Sequence, residues 1–506
     1  MRRFLVVSLF ATLGFAAGCG SGSGGSTPVG VPTTISLAPA TGETLTPGQM
    51  LTITATVTSG STNLGVAWSL SGPGSLSSTT ANPVTYTAPT SVTSNTPVVV
   101  TATAAASSTT TAYVPITVTT SGAVPNVAPL TVDGGPTGDS TNLAFVSVTI
   151  CEPGTTTCQT VDDVQVDTGS EGLRILQSAI PSLTLPALTD TSGNTINNCV
   201  QFLDTSYLWG PVQEADLRIN GEVASQALVQ VITSSDSSIP TACSNGGTVN
   251  ENTPALLGAN GILGVGLEPT DCEVAGSNFC DGSISSPGPV YFSCGSSGCS
   301  SGASPITLSI NDQVVNPVVL LPTDNNGDVI SLPAVSGSAP TVTGSLIFGI
   351  GTQSNNVLGS ANVFETDENN DFVTIYAGQT LTESFIDSGS NGLFFPSSIA
   401  VCTGNNSSFY CPPSLLSQSA TNEGAAGAPI NNVNFAIDNA NTLFSNPNDF
   451  AFSTLGGPQG TVDTCASDGS GACSFDWGLP FFFGRTVFTA IDGQSVSGGA
   501  APFWAY

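Results

Sequence analysis

Apolar positions in this chain come in short runs broken by Gly, Pro, Asn and Ser, and no long segment keeps the 3.6-residue apolar period of an amphipathic helix. The runs are rich in Val, Ile, Thr and Phe, which predicts an all-β protein. Between Thr33 and Thr120 the expected strands are Thr34–Leu37, Leu51–Val57, Val66–Leu70, Val84–Thr87, Val98–Ala102 and Val114–Val118. Closely spaced strands with a single Trp, Trp68, in a central run predict a β-sandwich with that Trp in its core. Ahead of this unit, Arg2 and Arg3 precede an apolar run from Phe4 to Ala17, which reads as an export leader too short to span a bilayer. Gly20 to Pro32 reads as a flexible tether.

Beyond about residue 127 one pattern occurs twice. Val164-Gln165-Val166-Asp167-Thr168-Gly169-Ser170-Glu171-Gly172-Leu173 is echoed by Ser384-Phe385-Ile386-Asp387-Ser388-Gly389-Ser390-Asn391-Gly392-Leu393. Each is an apolar strand that delivers an Asp onto a Gly-containing turn and then returns to apolar sequence. Two such turns can bring two carboxyl groups together, the arrangement that acid–base hydrolysis needs. The alternative is a pair of ordinary β-turns in which each Asp accepts from nearby backbone N–H groups. Asp-(Thr/Ser)-Gly alone is a weak signal in a chain so rich in those residues; the longer shared frame is the stronger one.

Composition narrows the chemistry. The 506 residues suffice for two to four domains, and the formal net charge of −30 excludes nucleic acid as a partner. The acidic residues are scattered, which predicts a solvated surface. There is no His, and the five basic residues are Arg2, Arg3, Arg174, Arg218 and Arg485, so there is no Lys. Ser-His-Asp, Cys-His and Ser-Lys catalysis, Schiff-base chemistry and His-based zinc sites are thereby excluded within this chain. Protons must be carried by carboxyl groups. Twelve cysteines follow residue 150, without a CxxC, which predicts disulfides and no metal site. Neighbours are expected to pair as 151–158, 272–280, 294–299, 402–411 and 465–473, leaving 199–243.

Three resemblances add expectations. Phe15-Ala16-Ala17-Gly18-Cys19 resembles a bacterial lipobox, which implies a leader over residues 1–18, lipid attachment at Cys19, a tether over 19–32 and anchoring to the cell envelope at the outer membrane. Membrane contact would then be through the lipid alone. Val66-Ala67-Trp68-Ser69-Leu70 with Val84-Thr85-Tyr86-Thr87-Ala88-Pro89 resembles bacterial Ig-like repeats, placing such a module at 33–120 and a linker at 121–127. The twin Asp motifs, Ile262-Leu263-Gly264, Leu346-Ile347-Phe348-Gly349 and the segment Trp477 to Asp492 resemble, in that order, the pepsin-like aspartic endopeptidases. The chain is also similar to a group of bacterial lipoproteins that combine these parts.

The pepsin-like resemblance implies a bilobal β-barrel domain, with lobes at 128–352 and 353–506. It implies Asp167 and Asp387 as a catalytic pair about 3 Å apart sharing one proton. Thr168 and Ser388 would cross-brace the two loops, Gly169 and Gly389 would form their turns, and Ser170 and Ser390 would bond the outer carboxyl oxygens. A flap hairpin is expected, entering through Cys199–Leu203 and leaving through Leu217–Gly221, with Phe202, Tyr207 and Trp209 as cleft or flap candidates. Pro480 falls where the second lobe's supporting glycine is expected, so the backing strand should bend differently there. Arg174 stands where the family usually has Trp, which would set a cation close to Asp167. The expected activity is cleavage of a polypeptide substrate by a monomer without cofactor. The alternative is a non-catalytic surface binding or adhesion protein that keeps the cleft for a surface ligand. A glycosidase using two carboxyl groups is the weaker third reading.

Overall fold

The computed structural model describes residues 33–39, 43–60, 64–89, 92, 96–119, 124–153, 157–202, 205–233, 239–244, 249–282, 290–459 and 474–506. The expected leader, Cys19, the tether and the Cys465–Cys473 bridge lie outside them. The chain is all-β and divides into two compact units, Met1–Gly122 and Ala123–Tyr506.

In the first unit, two four-stranded sheets enclose one core. One sheet runs Thr34–Ala38, Met50–Thr58, Val84–Thr87, Ser75–Leu76, and the other Glu43–Leu45, Thr111–Val118, Thr96–Ala104, Val66–Ser71. Strict alternation along Met50–Thr58 turns Ile53, Ala55 and Val57 inward, and Ile53 and Ala55 join Trp68, Val98 and Val100 in the core. The Trp68 indole donates to the Ala81 carbonyl at 2.8 Å, which satisfies its one polar atom inside the core. All six expected strands are present. Glu43–Leu45 and Ser75–Leu76 are additional, and are too short to show an alternating pattern.

The second unit begins with a closed barrel. Going round it, the strands are Ala144–Cys151, Tyr207–Ile219, Glu222–Ile232, Glu171–Leu176, Gly261–Val265 and Cys158–Asp167, which pairs back to Ala144–Cys151. The second lobe is a seven-stranded sheet that includes Gln379–Ile386, Leu393–Phe394 and Asp476–Trp477. Between them runs a common sheet in the order Val127–Val132, Val342–Phe348, Gly327–Leu332, Arg485–Ala490, Phe503–Ala505, Val363–Glu365. The division expected at 352/353 is therefore incomplete: residues from both sides of it hydrogen-bond across one sheet. The expected linker also ends earlier, because Val127 already pairs with Ile347.

The two motif strands have the same local topology. Val164–Asp167 runs parallel to Gly261–Gly264, and after the turn Glu171–Ile175 returns antiparallel to the same strand. Phe385–Ile386 runs parallel to Asp476–Trp477, and Leu393–Phe394 returns antiparallel to it. Val166 and Leu173 both face Leu263, while Ile386 and Leu393 both face Trp477. Trp477 is thus the counterpart of Leu263, and Gly478 that of Gly264. A Cβ on Gly478 would lie 2.6 Å from the Ser390 carbonyl, and one on Gly264 2.7 Å from the Ser170 carbonyl. Each glycine lets the returning loop close onto the strand behind it. This corrects the expectation for Pro480, which occupies the first turn of the short 3-10 helix Leu479–Phe481, where its missing N–H costs nothing.

The flap expectation also changes in register. The hairpin pairs Thr195–Gln201 with Tyr207–Ile219, with Cys199 opposite Trp209. Leu217–Gly221 is the far end of the outgoing strand plus the turn into Glu222–Ile232.

Five expected disulfides are formed: 151–158, 199–243, 272–280, 294–299 and 402–411. Cys199–Cys243 spans 44 residues, against 7 for Cys151–Cys158. Loop-closure entropy then gives the longer bridge about 4 kcal/mol of stabilisation and the shorter about 2.5 kcal/mol. Replacing both cysteines of 199–243 by Ala should lower the urea midpoint of the large unit more than the same change at 151–158; equal shifts would contradict this ranking.

Candidate active site

The chemistry of the second unit converges where the two motif loops meet. Cys158–Asp167 and Gln379–Ile386 end at these loops, and the loops are locked to each other by side chains. Thr168 N donates to Ser388 Oγ at 3.1 Å and Ser388 N donates to Thr168 Oγ1 at 2.9 Å. The hydroxyls in turn donate across the junction, Thr168 to the Ile386 carbonyl at 3.1 Å and Ser388 to the Val166 carbonyl at 2.8 Å. Thr168 and Ser388 are both fully enclosed, at 2% and 0% exposure. Each hydroxyl accepts one bond and gives one, so no polar atom of the brace is stranded.

The carboxyl groups are bonded in matching ways. Asp167 Oδ1 accepts from Gly169 N at 2.8 Å and its Oδ2 accepts from Ser170 Oγ. Asp387 Oδ1 accepts from Gly389 N at 2.7 Å and its Oδ2 from Ser390 Oγ at 2.8 Å. A Cβ on Gly169 would sit 2.7 Å from Asp387 Cγ, and one on Gly389 2.7 Å from Asp167 Cγ. Glycine is required at both places because each carboxyl group lies against the opposite loop. The same Cβ on Gly389 would also lie 3.0 Å from Asp387 Oδ1, so the two carboxyl groups converge on one point. The sequence-derived pair is therefore brought together with all four of its flanking hydroxyls. Gln165 adds a further tie, donating to the Gly389 carbonyl at 2.9 Å.

Burial, the charge of Asp167 and then that of Asp476 push the Asp387 carboxyl well above the ordinary carboxylate range, against the opposing bond from Ser390. Two acids this close cannot both ionise cheaply and titrate as a coupled pair. Asp387, Gly389 and Ser390 keep partial exposure, so solvent reaches the pair.

Arg174 has a partner of its own. Its guanidinium is buried and forms an ion pair with Asp271, Nη2 to Oδ2 3.2 Å, and donates to the Glu171 carbonyl. Asp271 also accepts from Tyr291 Oη at 2.6 Å and Asn198 Nδ2 at 3.0 Å. The cation is thus committed to a buried network of the first lobe.

The flap candidates are placed differently from one another. Phe202 is half-buried at the hairpin turn, its N–H bonded to the Ser206 carbonyl at 2.9 Å. Tyr207 and Trp209 are buried, at 5% and 4% exposure, in a cluster with Phe292 and the Cys199–Cys243 and Cys294–Cys299 bridges. They stabilise the hairpin from inside and offer no open surface to a cleft.

Three further acids escaped sequence reasoning. Asp476, in the strand behind the second motif, is 3% exposed, and burial pushes it up to about 8 while its bond with Ser390 opposes the shift. Glu171 directly follows Ser170 and is raised well above its ordinary value, first by burial and then by the charge of Glu268. Glu268 is raised by burial to about 7. The signal for Asp476 was its place two residues before Gly478, where the first lobe has Ile262. Among the described residues no cluster of His, Cys, Asp and Glu could hold a metal ion.

Asp387, Asp476, Glu171 and Glu268 all bind their protons more tightly in the folded chain than in the unfolded one. Their contribution to stability is complete below the unfolded carboxyl value of about 4 and is lost as pH rises through the folded values. The loss runs from the unfolded value of about 4 up to about 7 for Glu268 and about 8 for Asp476. Calorimetric Tm of the large unit should therefore fall between about pH 5 and about pH 8.5; a Tm that rose across this interval would contradict the assignment.

Among curated proteins, none matches the chain. Residues 122–506, which hold both lobes and both motif loops, match the model of the family described as "Protein of unknown function (DUF3443)", and the chain belongs to that family.

Proposed function

We propose that the large unit is a hydrolase of the aspartic endopeptidase type, which cleaves peptide bonds of an extended polypeptide with a water activated between Asp167 and Asp387. The single observation that carries this reading is the reciprocal arrangement of the two loops: each carboxyl group lies against the other loop's glycine, and Thr168 and Ser388 brace them from below. Two ordinary turns have no need of such a cross-brace.

In the resting pair Asp387 holds the shared proton, because burial and neighbouring acids disfavour its charge. Asp167, supported by Ser170 Oγ and Gly169 N, is the ionised member and takes a proton from the water. The Asp387 proton polarises the scissile carbonyl. The tetrahedral intermediate collapses as the proton gained by Asp167 passes to the departing amide nitrogen. No group outside the chain is required for these transfers, in keeping with a protein that has no His and no Lys.

The non-catalytic alternative drew its support from the Ig-like module, from Arg174 and Pro480, and from the lack of a securely placed flap tyrosine. Arg174 is held by Asp271, and Gly478 fills the place at which Pro480 was expected to intrude. Neither feature now opposes catalysis. The lipid anchor at Cys19 and the envelope location belong to the same proposal, with the sandwich as a spacer between anchor and hydrolase.

Asp167→Asn and Asp387→Asn should each lower kcat on a denatured protein substrate by about 10³-fold or more, the scale of lost acid–base catalysis, with the fold retained by circular dichroism. Cleavage that persists in either variant would reject the pair. The alkaline limb of the pH profile should lie well above the ordinary carboxylate range, since activity ends when Asp387 loses its proton. A limb at the ordinary value of about 4 would contradict the protonated role of Asp387.

A further inference from the structure

A pocket of about 540 Å³ opens on the large unit and includes none of the residues of the Asp167–Asp387 site. Its volume is that of a small-ligand site. One wall is made by four consecutive residues of strand Ile430–Ile437, namely Asn431, Asn432, Val433 and Asn434. Arg485 and Thr486, at the start of strand Arg485–Ala490, make another.

The first feature that points to a ligand is an open sheet edge. Ile430–Ile437 pairs along its whole length with Leu416–Glu423 and is the last strand of the seven-stranded sheet. Among the described residues its other edge has no strand beside it. A pocket on one face of a strand would touch every second residue, because side chains alternate between faces. This pocket touches four in succession, and Val433 is one of them although it is 3% exposed and belongs to the core. The pocket therefore runs along the open edge, where alternate residues turn their N–H and C=O groups outward.

The second feature is a cation. Arg485 is the only charged side chain in the lining. Its Nη1 donates to the Phe481 carbonyl and its Cζ lies 4.4 Å from the centre of the Phe481 ring, which anchors the guanidinium. The carbonyl occupies one of the five N–H donors. Among the described residues the ion pair present is Arg174–Asp271, so Arg485 has no counter-ion. With 35 acidic residues against 5 basic ones, counter-ions are plentiful in this chain, and this guanidinium is left without one. Tyr506 shares the lining, and burial pushes its phenol up to about 12, so it stays neutral at pH 7.

We propose that this pocket is a second binding site, one that takes the carboxyl-terminal end of an extended peptide: the peptide pairs as an added strand along residues 431–434, and its terminal carboxylate accepts from Arg485. An added strand satisfies the outward backbone groups, and a carboxylate can take two parallel bonds from a guanidinium. Val357 in the lining and Ile430 at the start of the strand are 56% and 62% exposed, which gives the peptide apolar surface to cover. The chain's net charge of −30 repels further acids, so the segment ahead of the carboxylate is an uncharged one. Cleavage of a peptide bond creates such ends, but the site does not depend on the hydrolase reading.

The test titrates acetyl-Ser-Val-Thr-Val-Phe, with a free carboxyl end, into the full chain by calorimetry at pH 7. The chain carries Asp167→Asn, so no peptide is consumed and the result is the same whether or not the protein is a hydrolase. The acid should bind at least about tenfold more tightly than its carboxamide, the scale of a charge-assisted pair. N-acetylphenylalanine, a carboxylate without a strand, should bind at least about tenfold more weakly than the peptide. Methylating alternate backbone nitrogens of the peptide should abolish binding in one of the two phases and spare it in the other. Arg485→Gln should bring acid and carboxamide within about twofold of each other, and Ser360→Trp, at an exposed position of the lining, should weaken both. Equal affinity for acid and carboxamide would overturn the proposal, as would N-acetylphenylalanine binding as well as the peptide. So would binding that survives both substitutions, or a dimer in sedimentation that Ser360→Trp dissolves, which would give the edge to a second copy of the chain. Should Arg485→Gln unfold the chain, the acid–carboxamide comparison and Ser360→Trp still decide.

Discussion

The second unit depends on four hydrogen bonds between Thr168 and Ser388 and the strands they face. Both hydroxyls are enclosed, so each bond replaces one that water can no longer provide. Removing either partner would leave a buried N–H and a buried carbonyl unmet, at about 1–3 kcal/mol each. The brace also fixes distance. Asp167 and Asp387 are immediate neighbours of the braced residues, so their separation is set by short covalent links and two-way hydrogen bonds. Two large lobes are thereby registered to the precision of a single hydrogen bond at the place where their loops meet.

Around this junction the chain repeats one device. A strand enters, turns at Asp-x-Gly-Ser and returns along the far side of a third strand whose glycine lets the loop close. In the first lobe the third strand is Ile262-Leu263-Gly264, and in the second it is Asp476-Trp477-Gly478. The packing behind them differs. Leu263 belongs to an aliphatic barrel core, whereas Trp477 stacks on Phe475 at 3.9 Å and donates from its indole to Thr374 Oγ1 at 3.1 Å. Phe395, Phe435 and Phe481 complete that aromatic block. The same loop geometry is thus supported by two unlike cores, because what the loop requires is a glycine and a rigid backing.

Much of this was legible in the chain itself. The sandwich strands show because one face of each is buried and alternation survives in the residues. Four of the five disulfides show because their partners are separated by fewer than ten positions, and the fifth was left by elimination. The Asp loops show because the chemistry needs the same short string twice. What did not show was pairing over distance. Arg174 and Asp271 are 97 residues apart, and nothing near Arg174 announces a buried counter-ion. The register of the second backing strand was missed because Asp476 breaks the apolar-apolar-Gly frame, which drew the alignment two residues on to Pro480. The common sheet was missed because its strands look like any others until the partner strand from the opposite side is known.

Electrostatics connects these features. A chain with no His, no Lys and few Arg has almost no cations with which to tune an acid. Its one buried ion pair is spent within the first lobe among the described residues. Every strong shift near the loops is accordingly upward and led by burial, as for Asp387, Asp476, Glu171 and Glu268. The opposing pull comes from Ser390 on Asp387 and Asp476, from the Arg174 charge on Glu171, and from the Asn370 amide and backbone N–H groups on Glu268. Such a site gains its protonated acids from desolvation first and from neighbouring acids second, and keeps them only while the lobes exclude water from behind the loops. Packing and proton affinity are then the same property: whatever loosens the backing strand at Asp476-Trp477-Gly478 must also release the protons above it.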